Sequence, residues 1–197
     1  MARTLKKLVW KPAFHAKVVE RAKATQTLVV GTAARAALED MLETDPAPGR
    51  VRRAFTVPFS PSRYCDGTHG AFYTAADTIT AVAEKLHHDA HWIRRRGLAH
   101  HSHAVELLAV DVDATVEDIT ALAHAGSGFM HDTDYTTPQV YAAAAVKAGV
   151  AGLQYPSLRD QNQPCAVLFV DSAVSHPRVH KAVTVEWDGN NFIWPPA

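Results

Sequence analysis

Three side chains in the first half of the chain have types and spacing suited to work on a phosphorylated sugar: Arg63, Tyr73 and Glu84. Arg63 sits in a loop-like stretch, Tyr73 in the strand-like "AFYTA", and Glu84 in the middle turn of a helix-like "TITAVAEKLHH". That order lets a loop, a strand and a helix converge at one end of a sheet. An arginine there can bind a phosphate or pyrophosphate through paired N–H donors. A tyrosine can stack on a flat ring and use its hydroxyl for orientation. A carboxylate can stabilise positive charge developing on a sugar ring, or hold a ribose hydroxyl. By itself Glu84 reads as a surface residue paired with Lys85 or a histidine, and it is the company of Arg63 and Tyr73 that favours a site.

Far downstream, "LQYPSLRD" ends a strand-like run with Ser157 and Arg159. Pro156 and Ser157 are ordinary turn residues. In a site they would add a hydroxyl and a second cation at the mouth of the same cleft. A nucleophilic serine is disfavoured, because the chain has no G-x-S-x-G elbow. It also has no Walker loop and no G-x-G-x-x-G after a strand. Six of the 12 histidines fall between His87 and His103, a segment able to change charge near neutral pH. His87 and His91 share a helix face at a spacing that metal sites use. "HHDAH" lacks the glutamate of the zinc-protease motif and no third ligand is evident, so a polar helix end and loop is the preferred reading and no metal is expected.

These residues need a scaffold. Residues 1–14 are basic at their start and read as an extension, frayed over residues 1–7, with one domain over 15–197. Short strands are expected around Val18, Val19 and Leu28–Val30, then a helix in "AARAALEDMLE" ended by Pro46, Pro48 and Gly49. "AFYTA" is a strand, followed by a helix capped by Asp77 or Thr78 with an apolar stripe of Ile79, Val82, Ala83 and Leu86. "AVELLAVDVDA" reads as a strand and "TVEDITALA" as a short helix. "TTPQVYAAAAVKAG" is a helix with Thr136 or Thr137 as cap, Pro138 near the first position and Gly149 past its end. "GLQYPS" and "CAVLFVD" are strands, and "AVTVEWDGNNFIW" is a closing hairpin. Strands and helices mix without regular alternation, which predicts a single α+β domain.

Composition narrows the class. Of 197 residues, 47% are hydrophobic, enough for one domain with a sizeable core. Lys plus Arg equals Asp plus Glu at 20 each, so no electrostatic footprint points to nucleic acid or a membrane surface. Two cysteines, Cys65 and Cys165, are too few for a disulfide framework. With no signal-like segment and no apolar run long enough to span a bilayer, a reduced, cytoplasmic protein is expected.

"SRYCDGTHGAFYTAADTITAVAEKLHH" and "DYTTPQVYAAAAVKAGVAGLQYPSLRD", followed by "CAVLFVDSAV", resemble the RES domain family over roughly residues 15–194. The first matches an "SRF-dG-x-G-x-x-Ya-A…TA-x-x-E-x-x-x-H" pattern and the second a "Y-x-x-x-Q…G-x-x-Gi-Y-x-SvR" pattern. The resemblance maps Arg63, Tyr73, Glu84 and Ser157 onto the family's functional residues. It implies a mixed, mostly antiparallel sheet core with flanking helices, similar to bacterial ADP-ribosyltransferase toxins. It implies action on NAD as substrate, by degrading it or transferring its ADP-ribose. It also implies the toxin role in a toxin–antitoxin pair, with a helical Xre-like antitoxin as partner. Lys17, Arg63, Tyr64, Tyr73 and Arg159 are then the expected contacts to NAD. Lys17 departs from the pattern, which has an arginine on an early strand. A lysine keeps the charge and loses the planar two-pronged contact; Arg21 or Arg53 are the other candidates for that place.

One carboxylate is chemically sufficient for this reaction. Glycosidases generally use two because the leaving oxygen must be protonated. The nicotinamide of NAD is already cationic and leaves neutral. Water, inorganic phosphate or a protein side chain is open as acceptor. Two other classes compete: a non-catalytic module that uses the same cleft to bind a partner, and a metal-dependent hydrolase built on the histidines. A homodimer is allowed, although no residue pattern speaks for it.

Overall fold

One 18-residue strand, β4 (His101–Asp118), organises the molecule. The computed structural model describes residues 2–10, 13–15, 46–56, 59, 61–123, 126–160 and 163–194. Its other elements are β1 (Ala2–Trp10), β2 (Ala13–His15), α1 (Pro46–Arg53), β3 (Phe72–Ala75), α2 (Thr78–Arg95) and α3 (Thr136–Lys147). β5 (Gly152–Pro156), β6 (Pro164–Leu168), β7 (Val174–Trp187) and β8 (Phe192–Ile193) follow. Six strands lie in the order β3-β6-β5-β4-β7-β8, and β1 and β2 pair with β4. β2 and β7 both pair with residues 105–107 of β4, which places them on its opposite edges. Among the described residues only the short β4–β5 contact is parallel. The expected α+β fold with a mixed, mostly antiparallel sheet and flanking helices is what the structure shows. No helix among the described residues is long and apolar enough to cross a membrane.

Strand alternation sorts the core onto two faces. Phe72, Leu108, Val110, Val112, Ala166 and Leu168 pack with Ala47 and Val51 of α1. Ala75, Val105, Leu107 and Cys165 pack with Ala81, Val82 and Leu86 of α2. Leu153 and Val167 pack with Ala142 and Ala145 of α3. Tyr73 alternates with Phe72 and therefore shares the face covered by α2 and α3, the face that carries the site. β5 must approach β6 closely: a Cβ on Gly152 would lie 2.4 Å from the Val167 carbonyl oxygen.

Several expectations are corrected. Pro46, Pro48 and Gly49 lie within α1, where no helix was expected; the helix they were expected to end lies outside the described residues. A first turn needs no donor from proline, and Ala47 and Val51, one turn apart, bury its inner face. "TVED" belongs to β4 rather than to a helix, because β1 pairs along residues 110–117 and β5 pairs at Glu117 and Asp118. Thr115 and Val116 are β-branched and suit that role. His101 and His103 also lie in β4, and His103 is buried, so the histidine segment is not all solvated loop. In α2 the buried stripe is Thr78, Val82, Leu86 and Ala90, whereas Ile79 is exposed. Neither threonine caps α3; the Asp134 carboxylate accepts from the Thr136 N–H at 2.9 Å. Residues 2–10, read as frayed over their basic start, are paired along β4. The strands expected at 18–30, the following helix, Lys17 and Arg21 lie outside the described residues.

Candidate active site

The site starts from a tight turn. The Ser62 N–H donates to the Cys65 carbonyl at 2.7 Å and the Cys65 N–H returns to the Ser62 carbonyl at 3.2 Å. Arg63 and Tyr64 lie between them. The Tyr73 hydroxyl, coming from β3, accepts the Tyr64 N–H at 2.9 Å and lies 2.8 Å from the Ser62 hydroxyl. From α3 the Gln139 amide nitrogen donates to the carbonyls of Ser62 and Cys65 at 2.9 and 3.2 Å. Buried His69 donates from Nε2 to the Tyr64 carbonyl at 2.9 Å. Gly70 lets this segment lie against α1's end, where a Cβ would meet the Ala54 carbonyl oxygen at 2.9 Å. The side chain of Arg63 is fixed as well. Its Nη1 donates to the carbonyls of Phe129 and His131 at 2.9 and 2.8 Å, and its guanidinium lies over the Tyr135 ring at 4.8 Å.

Asp77 starts α2 by accepting the Thr80 N–H at 2.9 Å, and the helix then carries Glu84, half-buried, toward the sheet end. The Ser157 hydroxyl, 1% exposed at the end of β5, donates to Glu84 Oε1 at 2.6 Å. The same oxygen accepts the N–H groups of Arg159 and Asp160 at 3.0 and 3.1 Å. With its lone pairs facing donors and its proton on a carboxylate, the Ser157 hydroxyl is placed to orient Glu84 and not to attack. One guanidinium nitrogen of Arg159 donates to His87 Nε2 at 2.9 Å and to the exposed Asp132 carboxylate at 2.6 Å. The three residues thereby join α2, the segment before α3 and the turn after β5.

These groups surround a cavity of about 470 Å³ lined by Arg63, Tyr73, Glu84, His87, Tyr135 and Arg159 among others. That volume is in the range of small-molecule sites. Burial, opposed by the Ser62 hydrogen bond, pushes the Tyr73 phenol up to about 12, so it is neutral at physiological pH. Burial, and then the charge of Glu84, pushes the Cys165 thiol on the cavity wall well up, which makes it a poor nucleophile. The hydrogen bond from Arg159 holds the Asp132 carboxyl below its ordinary value. Burial and then the Arg159 charge hold His87 below 6.5, in keeping with a neutral ring that accepts at Nε2. Among the described residues no group of three or more His, Cys, Asp or Glu is placed to hold a metal ion.

Arg63, Tyr73, Glu84 and Arg159 therefore share one cavity, and Ser157 supports it from behind. Tyr64 does not join them. Its ring is fully buried against Tyr155, with centroids 4.8 Å apart. Arg53 is exposed on α1, which covers the other face of the sheet. Asp132 carries no signal in the sequence. Tyr135 and Gln139 fall on the two named positions of the "Y-x-x-x-Q" pattern, but a tyrosine and a glutamine at a helix start have no assignable chemistry until their partners are known.

Residues 30–188 match the family described as the RES domain. No curated protein matches the chain. A chain in the crystal structure of the M. tuberculosis MbcT-MbcA toxin-antitoxin complex shares the fold, with a TM-score of 0.51 and 13% identity. The match covers 92% of this chain and 86% of that one.

Proposed function

The chain belongs to the RES domain family, and from that premise we propose that it cleaves the nicotinamide–ribose bond of NAD as the toxin of a toxin–antitoxin pair. The observation that carries this reading is Glu84. Its carboxylate is on the cavity wall, oriented by the Ser157 hydroxyl, in a cavity that also presents the guanidinium groups of Arg63 and Arg159. The two arginines bind the pyrophosphate through charge-assisted hydrogen bonds. The C–N bond breaks with its electron pair passing to the nicotinamide nitrogen, which leaves neutral and needs no proton. Glu84 stabilises the positive charge left on the ribose ring or holds its hydroxyls. The acceptor, water or inorganic phosphate, then adds to the anomeric carbon through an oxygen lone pair, and water gives up a proton to solvent as it does so. Tyr73 lines the cavity with its ring while its hydroxyl is committed to the turn of Arg63, which favours packing over hydrogen bonding to substrate. Lys17 remains a candidate for the early cation. A helical Xre-like antitoxin is the proposed partner, an assignment supported by the fold shared with a chain of a toxin–antitoxin complex.

The test is purified protein, freed of any partner, mixed with NAD with and without phosphate, the products being separated by chromatography. NAD loss that Glu84→Gln abolishes is expected. Free ADP-ribose would identify water as acceptor, and ADP-ribose 1″-phosphate would identify phosphate. ADP-ribose appearing on proteins in place of either product would make the chain a transferase. Folded protein with no turnover would leave a partner-binding module.

A further inference from the structure

The turn that carries Arg63 and the Arg63 side chain are both held by one segment, residues 129–139. Phe129 and His131 supply carbonyls to Nη1 and Tyr135 lies under the guanidinium. Gln139, one turn further along α3, reaches back to the carbonyls of Ser62 and Cys65, 77 and 74 residues away in sequence. Both partners are acceptors, so only the NH₂ end of the amide can face them. Those two carbonyls belong to the reciprocal pair that closes the turn around Arg63. Gln139 is not among the residues lining the cavity.

We propose that Gln139 is a positioning residue: it sets the affinity of the cavity for substrate phosphate by fixing the turn that presents Arg63, without touching substrate. The proposal rests on the reading of Arg63 as a phosphate-binding residue. Tyr73 reaches the Ser62 hydroxyl and the Tyr64 N–H, and His69 the Tyr64 carbonyl. Among the described residues Gln139 supplies the side-chain donor to the two carbonyls of the closing pair. Without it, both carbonyls lose a donor and the turn is free to shift relative to α3. A shift of the turn moves the guanidinium relative to the phosphate, and charge-assisted bonds of this geometry weaken steeply when misaligned.

ADP-ribose serves as a probe that carries the pyrophosphate and has no nicotinamide to lose, and adenosine as a control without phosphate. Dissociation constants are measured by calorimetry for the parent chain, Gln139→Met, Arg63→Ala and the double variant. Gln139→Met keeps the side-chain size and removes the donors. It is expected to weaken ADP-ribose about tenfold, the loss of one well-placed charged hydrogen bond, and to leave adenosine unchanged. In the Arg63→Ala background the same substitution is expected to add nothing, because its effect passes through Arg63. An equal loss in both backgrounds, or no loss where Arg63→Ala alone weakens binding, would overturn the proposal and spare the reading of Arg63. If Arg63→Ala leaves ADP-ribose binding intact, both fall. Should Gln139→Met fail to fold, Gln139→Asn keeps an amide but is one methylene too short to reach both carbonyls, and takes its place with the same expected outcomes.

Discussion

Replacing Ser157 by alanine tests the catalytic reading at its most loaded hydrogen-bonding atom. The hydroxyl is buried, donates to Glu84 at 2.6 Å and accepts two main-chain N–H groups at 3.0 and 3.1 Å. A hydrogen bond to a charged group contributes roughly 1.5–3 kcal/mol and each neutral one about 0.5–1.5. Because the three share one oxygen and do not add fully, a net loss of about 2–4 kcal/mol is expected. For a domain of this size that is a fall in Tm of about 5–15 °C. Turnover should also fall, by about 10–100-fold, as Glu84 loses the donor that orients it. Thermal denaturation and NAD turnover are measured on the parent chain, Ser157→Ala, Glu84→Gln and the double variant. Direct contact requires non-additivity, with Ser157→Ala costing less stability once Glu84 is glutamine. An unchanged Tm with turnover wholly lost would refute this account, since the hydroxyl would then be acting on substrate. Strict additivity would refute it too.

Three further outcomes follow from the geometry. In the proposed reaction Asp132 competes with a substrate phosphate for Arg159, and an exposed ion pair is worth about 0.5–1 kcal/mol. Asp132→Asn should therefore lower KM for NAD about two- to fivefold, and a raised KM would mean that the pair positions Arg159. His87 has its folded pKa held below 6.5, so the unfolded chain takes up the proton first as pH falls. Its contribution is fully present above pH 6.5 and is lost as pH falls below that value toward the folded pKa. Tm followed between about pH 7.5 and pH 5.5 should decline less steeply in His87→Gln, which keeps an acceptor for Arg159. Gly152→Ala would bring a Cβ to 2.4 Å from the Val167 carbonyl and 2.9 Å from a Leu168 methyl. It should destabilise by about 3 kcal/mol or more, read as lost soluble yield or a large fall in Tm.

Short-range patterns were legible in the sequence because their causes are local. α2, β3, β5, β6 and the β7–β8 hairpin follow from periodicity, and the Asp77 cap is a contact over three residues. Patterns went astray where a distant strand overrode local preference. "TVED" looks helical until β1 and β5 pair with it, and the Pro-Gly run at 46–49 carries no helical signal until Ala47 and Val51 find the sheet. Arg63, Tyr73, Glu84 and Arg159 could be nominated by residue type and order. Their partners could not.

The sequence by itself determined the α+β class, the resemblance to the RES family and the residue types around the cavity. Spacing along the chain reports which side chains share a face of one element, and composition reports whether a core can form. The tertiary structure alone decided that the Ser157 hydroxyl serves Glu84, 73 residues away, and that Tyr64 turns into the core while Arg63 faces the cavity. It also decided that a glutamine and two carbonyls hold the arginine. A hydrogen bond depends on tenths of an ångström and on direction, and across such separations only the packed sheet and its helices set either one.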